Sequence, residues 1–279
     1  MLAEAELLLV AREAAEAAAA ELLPRFGRRS RKPAGRDWVR AKTTPTDLVS
    51  DADVAAEGAI RSVLSHRRPN DALLAEESGA SGSGALRWLV DPLDGTINFL
   101  FGIPAFGVSV ACEDSSGTVA GLVLDPLREE YFEATRSGPA TLNGEQLWLE
   151  DAEVRLELAM VGTGFGYDAG MRARQAEALV RVLPRVRDIR RVGAAALDLA
   201  WTACGRFDAY YERGLKPWDL AAGSLIAERA GLAVRALRGQ DPDPAGVIAA
   251  PLRLIDELQA LVEGTEIRAA SVLDQRERQ

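Results

Sequence analysis

A layered stack of helices and β-sheet, of the α/β (α+β) class, is predicted by three observations. Residues 106–134 read as consecutive strands between turn signals, and residues 156–263 alternate strand with helix. The 279 residues suffice for one or two domains that bury about three-quarters of their unfolded surface. Hydrophobic residues at 48% and charged residues at 27% place the chain among ordinary globular proteins, outside the disordered and fibrous classes.

The chain opens with an alanine-rich helix over residues 2–23. Leu7, Ala11, Ala14, Ala18 and Leu22 recur there at helical spacing until Pro24 and Gly27 end the pattern. Residues 25–40 set seven Arg and Lys against Asp37, which indicates a basic loop. Ser50 or Asp51 caps a second helix that runs to about Arg67, and Asp53 falls in its first turn, where an acid complements the helix dipole. Leu73, Leu74 and Ala75 form a short strand ending in Glu76 and Glu77, and a Ser/Gly link at 80–85 leads to a strand at Trp88–Val90. That strand should stop at Pro92, which cannot give a sheet hydrogen bond.

Asp91 and Asp94 leave the strand end three residues apart, and a tight turn could aim both at one hard cation such as Mg²⁺. Gly95 permits close backbone approach, and the amides of Gly95 and Thr96 suit a phosphate. An acidic turn capping a helix uses the same residue types. Strands follow at Phe106–Cys112, Thr118–Leu124 and Glu130–Ala134, then a Gly/Asn loop at Ser137–Gly144. Beyond it come a strand at Leu156–Val161, a helix at 169–183, a strand at Val186–Arg190 and a helix at Ala194–Cys204. A strand at Phe207–Tyr211, a helix at Trp218–Ala230, a strand at Gly246–Ala249 and a helix at 251–263 complete the pattern, and a polar tail begins near Thr265.

The net charge of −9 argues against a wholesale binder of nucleic acid or anionic membrane, and suits a holder of divalent cations. Cys112 and Cys204, in apolar surroundings and without ligand spacing, read as buried thiols of a reducing compartment. No secretory signal is visible at the N-terminus. The longest uncharged run, Thr96 to Cys112, is broken by Asn98, Gly102, Pro104 and Gly107, so no membrane span is expected and the location expected is cytoplasmic. The lone His66, beside Arg67 and Arg68, reads as solvated.

Set in order, Asp53, Glu76, the run Asp91-Pro92-Leu93-Asp94-Gly95-Thr96-Ile97-Asn98-Phe99 and the run Trp218-Asp219-Leu220-Ala221-Ala222-Gly223 resemble the inositol monophosphatase family over nearly the whole chain. The resemblance implies an α-β-α-β-α sandwich of the inositol monophosphatase/fructose-1,6-bisphosphatase type. In it, residues 1–265 hold a metal and phosphate lobe (about 1–150) and a substrate lobe (about 151–265), followed by a tail at 266–279. It implies two or three Mg²⁺ per site, one held by Glu76, Asp91 and the Leu93 carbonyl, another by Asp91, Asp94 and Asp219, with Asp91 bridging. Two Mg²⁺ about 3.5–4 Å apart can clamp the attacking and leaving oxygens of a phosphoryl displacement. Asp53 and Thr96 match the family's pair that orients the nucleophilic water, and Glu76 is counted with them among the catalytic residues. Asp94, Gly95, Thr96 and Asp219 would meet the phosphate end of the substrate, Gly193 and Ala195 would line a sugar or cyclitol site, and Glu212 would accept polyol hydroxyls.

The activity so implied is hydrolysis of inositol 1-phosphate by a Li⁺-sensitive homodimer. The same metal cage also serves phosphatases of fructose 1,6-bisphosphate, histidinol phosphate and 3′-phosphoadenosine 5′-phosphate, so the phosphate monoester stays open. Ala75, where a glycine is common, and Ile97, where a second threonine often sits, are small departures from the family pattern. The basic loop at 25–40 is the larger one. It could bind RNA or an acidic protein surface, draw in phosphorylated substrate, or be a solvated loop without a task.

Overall fold

The computed structural model describes residues 2–27, 39–41, 48–149, 155–239 and 246–265. In chain order the elements are α1 (Leu2–Leu22), β1 (Val39–Ala41), β2 (Leu48–Ser50), α2 (Asp51–Arg67), β3 (Ala72–Ala75), β4 (Gly79–Ser81) and β5 (Arg87–Asp94). Then come α3 (Thr96–Phe101), β6 (Gly107–Asp114), β7 (Gly117–Asp125), β8 (Glu130–Thr135), β9 (Thr141–Leu142), β10 (Glu145–Gln146) and β11 (Met160–Thr163). The last are α4 (Ala169–Val182), β12 (Asp188–Arg190), α5 (Ala195–Ala203), β13 (Ala209–Arg213), α6 (Pro217–Arg229), β14 (Ala233–Leu237), β15 (Gly246–Ala250) and α7 (Leu252–Glu263).

Eight strands form one sheet in the order β10-β9-β8-β7-β6-β5-β3-β4, antiparallel except where β3 runs parallel to β5. Five form a second, in the order β12-β11-β13-β15-β14, parallel across its first three strands and antiparallel beyond. Side chains alternate across each strand. Trp88, Val90, Val108, Val110, Leu122 and Leu124 therefore face α1 and α2, while Leu89, Ala111 and Val123 face α5 and α6. Both faces being covered, the central strands read as unbroken apolar runs, and each large side chain so buried stabilises by about 1.5–3 kcal/mol. On the second sheet, Val161, Ala209, Tyr211 and Ile248 pack with Leu254, Ile255 and Leu258 of α7. The result is the α-β-α-β-α stack expected.

Several boundaries move. The β5 strand does not stop at Pro92 but continues to Asp94, because a bulge takes up the residue that cannot join the ladder. Residues 156–161 are not one strand. Leu156–Leu158 make a 3₁₀ turn, which lets Leu156 and Ala159 both reach the α7 core before β11 starts at Met160. Strand β12 is shorter than Val186–Arg190. Unforeseen are β4, a Gly-Ala-Ser edge with no apolar signal, and β14, broken in pattern by the charge of Arg235. Also unforeseen is the β9–β10 hairpin, whose Asn143-Gly144 corner has positive φ at both residues.

Cys112 is buried as expected, but Cys204 is partly exposed, and both are free thiols. His66 is exposed. Among the described residues no helix is long and apolar enough to cross a membrane. Of the basic loop, residues 28–38 lie outside the described residues, as does the tail at 266–279.

Candidate active site

Residues three apart on a regular strand point to opposite faces, yet Asp91 and Asp94 line the same cleft. The bulge explains this. Asp91 pairs with Ser109 and Asp94 with Gly107, so three steps along β5 are matched by two along β6 and the second carboxylate is turned to the side of the first. The Leu93 side chain is buried in the α1–α2 core while the residue also borders the cleft, and its amide is held by Asp91 Oδ1 at 3.0 Å. Gly95 then turns the chain with φ of +91°, and a Cβ there would come within 3.1 Å of both the Ala105 carbonyl and the Ala194 side chain. Helix α3 starts at Thr96.

Glu76 arrives from the neighbouring strand. Its amide donates to the Val90 carbonyl at 3.1 Å, which brings the side chain beside Asp91. Buried Glu57 of α2 accepts the amides of Glu77 (2.7 Å) and Ser78 (3.0 Å), pinning the turn that carries Glu76. Asp219 stands in the first turn of α6, where its Oδ2 accepts the Lys216 amide at 2.7 Å.

The cleft measures about 410 Å³ and brings together Glu76, Asp91, Leu93, Asp94, Gly95, Thr96, Gly193, Ala195, Glu212 and Asp219. Of the residues singled out from sequence, only Asp53 is not in its lining. It lies fully buried behind Thr96, whose hydroxyl is 2.9 Å from Asp53 Oδ1 and 3.1 Å from the Leu93 carbonyl oxygen. Ser50 is the N-cap, and Asp53 Oδ2 accepts both the Ser50 amide (2.8 Å) and the Ser50 hydroxyl (2.6 Å). One carboxylate thus closes a capping box with one oxygen and reaches the cleft with the other.

Burial dominates the ionisation of these acids. It lifts Asp53 to about 6, against the hydrogen bonds from Ser50 and Thr96. It takes Asp94 to about 7 and Asp219 to about 8, and raises Asp91 well above the usual carboxylate range, with the charges of Glu76, Asp94 and Asp219 adding to the effect on Asp91. Buried, mutually repelling carboxylates joined by a backbone carbonyl are a donor set that fits hard divalent cations. As they stand, Asp91 shares a hydrogen bond with Glu76, and among the described residues no three such side chains converge as a finished coordination shell.

Glu212 is no surface acid. It is buried on β13, its carboxylate accepts the Tyr210 hydroxyl at 2.5 Å, and burial raises it to about 7. Gly164 leaves no room for a Cβ against that carboxylate. Sequence reasoning missed the cations of the same lining, Arg191, Arg213 and Lys216, and the support given by Glu57. It also missed Asp198, wholly buried on α5 and held well above the usual carboxylate range by burial and by the charges of Glu212 and Asp94. An acid inside the apolar run Ala195–Ala203 was the signal that could have found it.

Residues 3–266 match the inositol monophosphatase family. The chain belongs to that family. Membership in the inositol monophosphatase family implies a phosphatase. The inositol-1-monophosphatase SuhB of Mycobacterium tuberculosis is 43% identical over 245 residues, covering 84% of each chain. The Nus factor SuhB of Xylella fastidiosa is 38% identical over 225 residues, 77% of this chain and 82% of that one. Among solved structures, the extragenic suppressor protein suhB of Bartonella henselae superposes with a TM-score of 0.82 at 36% identity, covering 91% of this chain and 97% of its own.

Proposed function

We propose that this inositol monophosphatase family member hydrolyses the phosphate monoester of a small polyol, inositol 1-phosphate first among them, with Mg²⁺. The observation that carries the reading is one cleft lined by Glu76, Asp91, Asp94 and Asp219 together with a buried Glu212. Glu76, Asp91 and the Leu93 carbonyl would hold one Mg²⁺, and Asp91, Asp94 and Asp219 a second. Bound there, the cations would supply charge neutralisation at the phosphate and a lowered pKa for water.

The chain's own residues do the rest. Asp53 is ionised at neutral pH and accepts the Thr96 hydroxyl proton, so the Thr96 oxygen is free to receive a hydrogen from a water and orient it. The Gly95 and Thr96 amides offer donors to phosphate oxygens. Glu212 accepts hydroxyls of the polyol, beside Gly193 and Ala195, and Arg191 and Lys216 draw the anionic substrate inwards. A carboxylate at position 212 disfavours an adenylate phosphate and so ranks a polyol above 3′-phosphoadenosine 5′-phosphate. Li⁺ inhibition, a homodimeric state, a cytoplasmic location and division into lobes near residue 150 belong to the same proposal.

Phosphate release measured across inositol 1-phosphate, fructose 1,6-bisphosphate, histidinol phosphate and 3′-phosphoadenosine 5′-phosphate tests the substrate. Inositol 1-phosphate is expected to lead, and unchanged turnover of it by Glu212→Gln would remove the preference. Asp91→Asn deletes the carboxylate shared by both cation sites and is expected to lower kcat/KM by at least about a thousandfold. Near-normal activity in that variant would sink the two-metal reading.

A further inference from the structure

A second cavity, of about 300 Å³, adjoins the cleft, shares Phe165, Glu212 and Arg213 with it, and is closed by α4 and the C-terminal end of α7. Nothing in the proposed reaction uses it. Thr163 and Tyr211, 1% and 5% exposed, bring buried hydroxyls to its wall. The Thr163 hydroxyl lies near enough to Tyr211 to favour its ionised form, yet neither hydroxyl completes a hydrogen bond with the protein. A buried hydroxyl left in that condition destabilises the fold, so a ligand that satisfies it is favoured.

The charge at this wall is fixed. Arg181 donates through Nε to the Leu261 carbonyl (2.7 Å) and through a terminal nitrogen to the Val262 carbonyl (3.1 Å), which holds the guanidinium in place beside Tyr211. Two of the three acids of the lining are hydrogen-bonded elsewhere, each through one oxygen, and the third is exposed. Glu263 accepts the Arg238 amide (2.9 Å) and the Gln259 side chain (3.0 Å), Glu212 accepts the Tyr210 hydroxyl, and Glu177 is exposed. The two hydroxyl donors are therefore open beside a fixed positive charge.

We propose that this cavity binds a small free oxyanion of phosphate size, received by the Thr163 and Tyr211 hydroxyls and the Arg181 charge. The inference does not rest on the phosphatase reading. Calorimetric titration of inorganic phosphate into the full-length protein in EDTA tests it, with the hydroxyl variants separating this cavity from the cleft. One saturable binding event is expected. It should weaken about tenfold in Tyr211→Phe and in Thr163→Val, which delete only a hydroxyl, and should persist in Asp91→Asn. Melting curves establish that the two hydroxyl variants are folded. No saturable binding by the unaltered protein, an affinity in both hydroxyl variants equal to that of the unaltered protein, or uptake of neutral glycerol in preference to phosphate would each overturn the assignment.

Discussion

Asp94 Oδ2 lies 3.0 Å from the amide of Leu197, 103 residues further along the chain. A carboxylate from the bulged end of β5 thus sits at the N-terminal turn of α5, the helix that carries Ala195 and Asp198, and ties the two sides of the cleft together. Asp94→Asn keeps an acceptor for this amide and Asp94→Ala does not. In EDTA the Asn variant should match or exceed the parent in urea denaturation, while the Ala variant should lose about 1–3 kcal/mol. Both should lose activity. An Asn variant as unstable as the Ala variant would mean that α5 needs the charge itself.

Metal-free protein should become less stable as pH rises. Asp53, Asp94, Glu212 and Asp219 are raised in the fold to about 6, 7, 7 and 8, and Asp91 and Asp198 are raised as well, whereas unfolded carboxyls titrate near about 4. Between about pH 4 and 8 the native state holds more protons than the unfolded chain, so stability is fullest at the acid end and falls towards pH 8. Urea midpoints in EDTA at pH 5.5 and pH 8 measure this. Mg²⁺ should restore the midpoint at pH 8, and a midpoint that instead rises with pH in EDTA would contradict the burial of these acids.

Thr96→Val removes the hydroxyl that joins Asp53 to the cleft at nearly constant volume. A fall in kcat of roughly 10²–10⁴-fold with little change in KM is expected. Ser50→Ala attacks the same carboxylate from behind, and should cost about 1 kcal/mol of stability through the lost cap together with a smaller loss of kcat. Steady-state kinetics and thermal melts on the two variants separate the roles.

Glu57 touches no cleft atom but fixes the turn that carries Glu76. Glu57→Ala is expected to weaken Mg²⁺ activation roughly 10–100-fold, as loss of groups that orient metal ligands does elsewhere. The Mg²⁺ concentration giving half-maximal activity reports it, and an unchanged value would leave Glu57 a purely structural residue.

Deleting residues 28–37 distinguishes the readings of the basic loop. Steering of an anionic substrate predicts a kcat/KM that falls at low salt and converges with the parent at high salt. A binding segment predicts intact catalysis with lost retention of RNA or of a partner protein. If neither quantity changes at low ionic strength, the loop is a spacer.

The carboxylates were legible because their chemistry is local in sequence. Asp91 and Asp94 share one short motif, and Asp219 follows a proline–tryptophan helix start. The bulge that aims them was not, since it depends on register against Ser109 and Gly107 rather than on any residue of β5 except Pro92. Asp53 could be read either as an acid complementing the helix dipole or as a catalytic group; in the structure one of its oxygens closes the capping box and the other accepts the Thr96 hydroxyl. Strands β4 and β14 escaped notice because their pairing partners, not their own composition, make them strands. Glu57 and Asp198 act through space on residues far away in the chain, which no spacing rule records.

Because the eight-stranded sheet is covered on both faces, the amides of β5, β6 and β7 can exchange with solvent only when the whole molecule opens. The aspartates that end β5 are thereby mounted on the slowest-opening part of the protein, while other parts of the cleft wall, from Phe165 to Asp168 and from Gly214 to Lys216, belong to connecting segments. Substitutions in those segments can reshape the cleft wall and leave the carboxylate end of β5 untouched.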